Sequence, residues 1–295
     1  MILIKIYIME EIKVIVNPYN FNNKLLTENH IHTILQKYDI NDKIHSTKFY
    51  QLAFIHSSYT KKAPTEIGEN VVLASKPEGA LELMDHDYER LEFLGDAVVS
   101  VVVAKYLYER FPDENEGFLT KMRTKLVNGE MLGFLANKLG FGEFAIMSRH
   151  IEDKCKGRTS QHILEDMFEA FVGAMFLDFN EIDNYNLLDN FYSGIGFQIC
   201  EKFIMYVIEE HVDFSELILK QSNYKEMLNK YFSETFNSPI NFSEPTVEGG
   251  LNDRLYTVNV LDDEDKIMGT GIGKSKKKAE QYACKDTLIN LKIIN

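Results

Sequence analysis

The sequence predicts an all-α domain over residues 46–214, followed by a small α+β domain of order α-β-β-β-α over residues 218–292. Three observations point there. Residues 88–110 carry apolar side chains at helical spacing, with Leu91, Leu94, Val98, Val101 and Val102 on one face. A second apolar helix, ILEDMFEAFVGAMFLD, covers residues 163–178. Beyond residue 218 the pattern changes to a helix, three strands and a lysine-rich final helix.

The bulk properties set limits. A chain of 295 residues accommodates two domains of ordinary size, and a hydrophobic content of 45% is enough for a sizeable core. No apolar run is long enough to span a membrane. The N-terminal MILIKIYI is too short for a signal-peptide core, and Glu10 and Glu11 follow it. Cys155, Cys200 and Cys284 are odd in number and far apart, which predicts free thiols and an intracellular, cytoplasmic protein. The net charge of −13 argues against a generally phosphate-binding surface. Its distribution is uneven: residues 215–295 hold 11 Lys+Arg against 12 Asp+Glu, whereas residues 1–214 hold 21 against 33. Phosphate binding would therefore need a local basic cluster.

Residues 1–45 read as an extension with a strand over 12–16, a helix over 28–37 and no evident chemistry. Phe49, Leu52, Ala53 and Phe54 predict a helix over 46–60 that ends at HSSYT. Pro64, Gly68, Pro77 and Gly79 break residues 61–87 into a loop. The helix over 88–110 should stop before Phe111-Pro112, because a proline disfavours helical geometry in the residue ahead of it. Helices follow over 116–126 and 128–139, and in the first of them Lys121, Arg123 and Lys125 read as a solvated face that could also touch phosphate. Arg149, Lys154, Lys156 and Arg158 make residues 149–160 a basic loop, and Ser160 caps the next helix. A further helix covers 197–210, and HVDFS marks the domain boundary. The smaller domain reads as a helix over 224–235, strands over 240–248, 254–261 and 266–273, and a final helix with the stripe Ala283, Cys284, Thr287, Leu288 and Leu291. Asp262, Asp263, Glu264 and Asp265 make the turn between the last two strands.

The polar faces carry the chemistry. At 100° per residue, Glu89, Glu92 and Asp96 fall within about 60° of one another, with no lysine among them. Such a trio is commonly a solvated acidic face. A second pair, Asp166 and Glu169, shares a face of the downstream helix and favours a site instead. Glu92, Asp96, Asp166 and Glu169 then offer hard oxygen donors on two helices, with neither cysteine nor clustered histidine, a set suited to Mg²⁺ or Mn²⁺ rather than zinc. A di-iron bundle would need Glu-x-x-His pairs, and the chain has none. His162, one turn ahead of the pair, is open to a ligand role, but its place favours a capping or surface residue. Lys276, Lys277 and Lys278 occupy the first turn of the final helix, where the helix dipole disfavours cations. A cluster placed at that cost reads as a phosphate site.

These stretches resemble a known family. ERLEFLGDAV is similar to the signature of the ribonuclease III family, and ILEDMFEAFVGAMFLD to its second acidic motif. HSSYT lies before them and LTKMRTKLVN between them, in the family's order. The GIGKSKKKAE stretch and its α-β-β-β-α context resemble a double-stranded RNA-binding domain. The resemblance implies the helical ribonuclease III endonuclease fold and hydrolysis of both strands of an RNA duplex with Mg²⁺, which Mn²⁺ can replace. The products would be staggered 5′-phosphate and 3′-hydroxyl ends. It implies Asp96 and Glu169 as the most sensitive groups, Glu92 and Asp166 as further ligands, and Glu89 in support. It implies a homodimer through the nuclease domain, with Phe93 at the contact, although a local lid would also cover that ring, and with Glu116 as a supporting residue. On the RNA-binding domain it implies Tyr224 and Glu226 in one minor groove, Asn252 and Arg254 in the next, and Lys276, Lys277 and Lys278 on phosphates. One nuclease domain with one RNA-binding domain is the short form of the family, and the Asn- and Ile-rich composition suits an AT-rich genome such as that of a large DNA virus. The competing function is a non-catalytic protein that sequesters duplex RNA from a silencing or immune pathway. Such a protein would have no need of the acidic set. A third reading, a homodimer that scaffolds RNA processing, needs it no more.

Overall fold

A computed structural model describes residues 14–61, 71–180, 195–219, 224–249 and 254–294. The chain divides into two compact units, 1–217 and 218–295.

The first unit is built on two long helices, α3 (Glu89–Arg110) and α7 (Gln161–Phe179). Helix α3 ends at Arg110, before Pro112, as expected. Helix α7 is apolar nearly all round, with Ile163, Leu164, Met167, Phe168, Phe171, Val172, Met175 and Phe179 buried, so it occupies the centre. The two helices meet at glycines. A Cβ on Gly95 would overlap the Glu169 carbonyl, and one on Gly173 would overlap the Leu91 carbonyl. Backbone meets backbone there, and this sets the separation of the acidic faces.

Shorter helices surround this pair: α1 (Glu28–Gln36), α2 (Thr47–Leu52), α4 (Glu116–Leu126), α5 (Gly129–Lys138), α6 (Arg149–Cys155), α8 (Gly196–His211) and α9 (Phe214–Leu219). Asn115 and Asn128 cap α4 and α5 by accepting from Phe118 and Met131 amides. Phe54, Phe141 and Phe171 pack ring to ring, with centroids 5.0 to 6.1 Å apart. Each such buried side chain contributes about 1.5–3 kcal/mol.

The structure differs from the sequence reading in several places. Residues 26–44, read within an extension, contribute Leu26, Ile31, Leu35, Tyr38, Ile40 and Ile44 to the main core. The helix expected over 46–60 ends at Leu52 because residues 54–56 pair with Ile146 instead: Ile146 N–H donates to Phe54 and His56 N–H to Ile146. A single turn at Ser57–Tyr59 follows. Residues 71–73, expected in a loop, form strand β2 (Val71–Leu73), which pairs in parallel with β1 (Val14–Val16). Residues 12–13 and 62–70, in the expected strand and loop, lie outside the described residues. Asp178, at the far end of α7, is fully buried and accepts from the His45 and Ser46 amides and the Tyr50 hydroxyl, which ties α2 to α7.

The second unit holds α10 (Tyr224–Phe236), a sheet and α11 (Lys276–Asn290). The central strand β5 (Leu255–Leu261) pairs antiparallel with β6 (Ile267–Gly273) on one side. On its other side it meets β3 (Asn241–Phe242) and β4 (Thr246–Glu248). The strand expected over 240–248 is thus two short pieces of one edge. Ser243 closes the gap by accepting from the Asn259 amide and donating its own, while Pro245 has no N–H to give. Asp262 holds the turn before β6 by accepting from the Glu264 and Lys266 amides. Leu228, Phe232, Val260, Ala283, Cys284 and Leu288 form the core. A Cβ on Gly271 would overlap Ala279 in α11, so the helix lies directly on β6.

Candidate metal centre and nucleic-acid interface

The Gly95–Gly173 crossing brings the predicted carboxylates to one place. Helix α3 presents Glu89 and Asp96 exposed and Glu92 half-buried, while Asp166 and Glu169 on α7 are each only 8% exposed. Burial first, then the charges of Asp166 and Glu89, push the Glu92 carboxyl up to about 7. Burial, then Asp96, Glu165, Glu92 and Asp166, push Glu169 up to about 8. Asp166 is also raised by burial, offset by a hydrogen bond from Tyr88 and the nearby His162 and His56. No lysine or arginine is among the groups that tune Glu92 or Glu169. Repelling oxygen donors, two of them buried, with no lysine or arginine to balance them suit a hard divalent ion. Glu92, Asp96, Asp166 and Glu169 are the residues that could hold it.

Four neighbours add to the predicted set. The Tyr88 hydroxyl donates to Asp166 Oδ2 at 3.0 Å. Burial and the charge of Asp166 raise that phenol well above its usual value, so it stays a donor. His56 packs edge-on to the Tyr88 ring with centroids 5.9 Å apart, and its Nδ1 accepts from the Ser58 amide. His162, read as a capping or surface residue, has Nδ1 3.1 Å from Asp166 Oδ1 and 3.5 Å from Glu165 Oε2. Glu165 is the fourth. Helical spacing on α7 was the signal for His162 and Glu165. His56 and Tyr88 reach the site only through the fold.

Other expectations separate from this centre. Phe93 is 82% exposed, so none of the described residues forms a lid over it. Glu116 is exposed and accepts from Thr120 within its own helix. The stretch over 149–160, expected as a basic loop, is helix α6 followed by a single turn at Gly157–Thr159, and its two arginines are occupied: Arg149 pairs with Asp153 at 3.2 Å, and Arg158 pairs with Glu152 at 3.0 Å and donates to the Gly142 carbonyl and Asn23. Lys125 donates to the Leu217 carbonyl at 2.6 Å.

In the second unit, Lys276, Lys277 and Lys278 are exposed on the first turn of α11, and Ser275 caps that turn by accepting from the Lys278 amide. Tyr224 is half-buried under Lys285, whose Nζ lies 5.5 Å from the ring centroid. Glu226 and Arg254 are exposed. Asn252 lies outside the described residues.

Each unit matches a known protein family. Residues 89–180 match the ribonuclease III domain, and residues 224–291 match the double-stranded RNA binding motif. The chain is similar to a probable ribonuclease 3 of Acanthamoeba polyphaga mimivirus, 35% identical over 216 residues, covering 72% of this chain and 36% of the relative. It is similar to ribonuclease 3 of Lactococcus lactis, 36% identical over 200 residues, covering 68% of this chain and 78% of the relative. Ribonuclease 3 of Staphylococcus aureus is 34% identical over 245 residues, covering 83% and 86%. The match thus spans most of the bacterial relatives and little more than a third of the mimivirus one. Among the described residues no helix is long and apolar enough to cross a membrane. With its paired acidic helices and its small C-terminal α+β domain, the chain belongs to the ribonuclease III family of endoribonucleases and carries a ribonuclease III domain followed by a double-stranded RNA-binding motif.

Proposed function

We propose that this protein hydrolyses double-stranded RNA with Mg²⁺, for which Mn²⁺ can substitute, and leaves 5′-phosphate and 3′-hydroxyl ends. The observation that carries the reading is the meeting of Glu92, Asp96, Asp166 and Glu169 at one place, with Asp166 and Glu169 buried and no lysine or arginine among the groups that tune Glu92 and Glu169, on a chain that also has a duplex-binding motif. Those four carboxylates hold the ions, with Glu89 in support. When bound, divalent ions supply an activated water and a charge that stabilises the leaving oxygen. Tyr88 fixes the orientation of Asp166 through Oδ2. Lys276, Lys277 and Lys278, with Arg254, Tyr224, Glu226 and Asn252, grip the duplex.

The acting species is a homodimer. Phe93, Val101 and Tyr108 are 82%, 55% and 72% exposed and lie within about 80° of one another along α3, a stripe that a second copy would cover. The cytoplasm is its place of action, since Cys155, Cys200 and Cys284 are free thiols.

The test is a labelled RNA duplex incubated with Mg²⁺ and either the full chain or Glu169→Gln. Wild-type cleavage, reduced more than about a hundredfold in the variant while duplex binding persists, is expected, since losing even a residue behind a metal ligand costs 10–100-fold. Tight binding without cutting in Mg²⁺ or Mn²⁺ would replace the nuclease by a duplex-sequestering protein.

A further inference from the structure

His162, Glu165 and Asp166 stand at positions i, i+3 and i+4 of α7, so they share one face of a helix that is already formed. One donor atom from each lies within 4.8 Å of the others. His162 Nδ1 is 3.1 Å from Asp166 Oδ1 and 3.5 Å from Glu165 Oε2. Ligand atoms around a tetrahedral ion with bonds of about 2.0 Å stand about 3.3 Å apart; the two separations from His162 lie near that spacing, and the Glu165–Asp166 pair lies within 4.8 Å.

Each carboxylate is held from outside the trio. Tyr88 occupies Asp166 Oδ2 and leaves Oδ1 towards His162. The Glu165 carboxyl fills the space that a Cβ on Gly129 would take, against the first turn of α5, where the helix dipole favours an anion. The His162 side chain is 81% exposed, which opens the trio to solvent.

A second observation comes from Glu169, one turn further along. Its side chain is 8% exposed, has no hydrogen-bond or ion-pair partner among the described residues, and has the carboxylates of Asp96, Glu165, Glu92 and Asp166 as its charged neighbours. Helix α7 carries neither lysine nor arginine. No lysine or arginine is among the groups that act on Glu169 or Asp166.

We propose that His162, Glu165 and Asp166 form an additional cation site for a borderline divalent transition metal such as Zn²⁺. An imidazole beside two carboxylates suits such an ion better than Mg²⁺, which prefers an all-oxygen shell. Because Asp166 also belongs to the four-carboxylate set, a metal held here competes with Mg²⁺ for that residue. The site rests on the donor geometry of α7 and is tested without RNA, so its failure is separate from failure of the nuclease reading.

The experiment is calorimetric titration of ZnCl₂ into the purified full chain, the His162→Gln and Glu165→Gln variants and, as a control, Glu116→Gln. Visible absorption of the Co²⁺-loaded proteins is recorded alongside. Wild type and the control should bind zinc at least about tenfold more tightly than the two trio variants. The cobalt spectrum should change in His162→Gln, while circular dichroism shows the helices intact. Equal zinc affinity and an unchanged cobalt spectrum in His162→Gln would overturn the site and leave His162 as a surface ion pair on its helix. Absence of zinc binding by the wild type would overturn it as well.

Discussion

The crossing of α3 and α7 and the first turn of α11 both gather like charges, by opposite means. At the crossing, carboxylates are drawn into the protein and fixed by two backbones that touch at Gly95 and Gly173. On α11, three lysines stay in solvent at the helix end that disfavours them, and a single Ser275 cap holds the turn. Ion-assisted chemistry needs donors placed to a fraction of an ångström, which only packed elements provide. Gripping a phosphate backbone needs charge density and tolerates mobile side chains. The acidic site therefore depends on the fold, and the basic one on composition.

The sharpest way to break this comparison is Gly95→Ala. The added methyl meets the Glu169 backbone, which cannot swing aside as a side chain could. Denaturant unfolding should show a loss of about 2–3 kcal/mol, with cleavage abolished in whatever folds. Wild-type stability in this variant would mean that the crossing does not set the site.

A finer cut is Tyr88→Phe, which removes the donor to Asp166 Oδ2 and keeps the ring. Cleavage should fall 10- to 100-fold, as for other groups that orient a metal ligand, with little change in duplex affinity measured by filter binding.

Replacing Lys276, Lys277 and Lys278 together by Gln should leave the melting temperature unchanged or slightly higher. Duplex binding should weaken, and the slope of log affinity against log salt should shrink by about one for each lysine lost. A marked loss of stability would make the turn structural.

The smallest effect is on pH dependence. In EDTA, Glu92 and Glu169 hold protons up to about 7 and 8 in the folded protein, against about 4.3 for glutamate in an unfolded chain. The unfolded state releases these protons first, so their favourable contribution is complete below about pH 4.3 and is lost as pH rises through 7 and 8. Melting temperature should fall modestly between pH 5 and 9, and Mg²⁺ should flatten the slope. A melting temperature that rises over this range would reverse the assignment.

Much of the chemistry was legible because it is local. Acids at helical spacing on residues 89–96 and 166–169, the stop at Pro112, the acidic turn at Asp262 and the lysines after Ser275 are written in neighbouring residues, and helices and turns obey neighbouring residues. The periodicity also showed which faces were polar. The relation between those faces depends on residues far apart in the chain.

By itself, then, the sequence determined the helices, the donor types and the order of the two domains. Tertiary structure alone decided the rest. It joined Leu91–Gly95 to Glu169–Gly173, cut the helix after Leu52 by pairing residues 54–56 with Ile146, paired Val14–Val16 with Val71–Leu73, and buried residues 26–44 in the main core. It also turned two basic-looking side chains inward, Arg158 to Glu152 and Lys125 to the Leu217 carbonyl, and brought His56 and Tyr88 to Asp166. The physical reason is range. Propensity and periodicity act within a turn or two of chain, whereas burial, close backbone contact and the repulsion of distant charges exist only once remote segments meet.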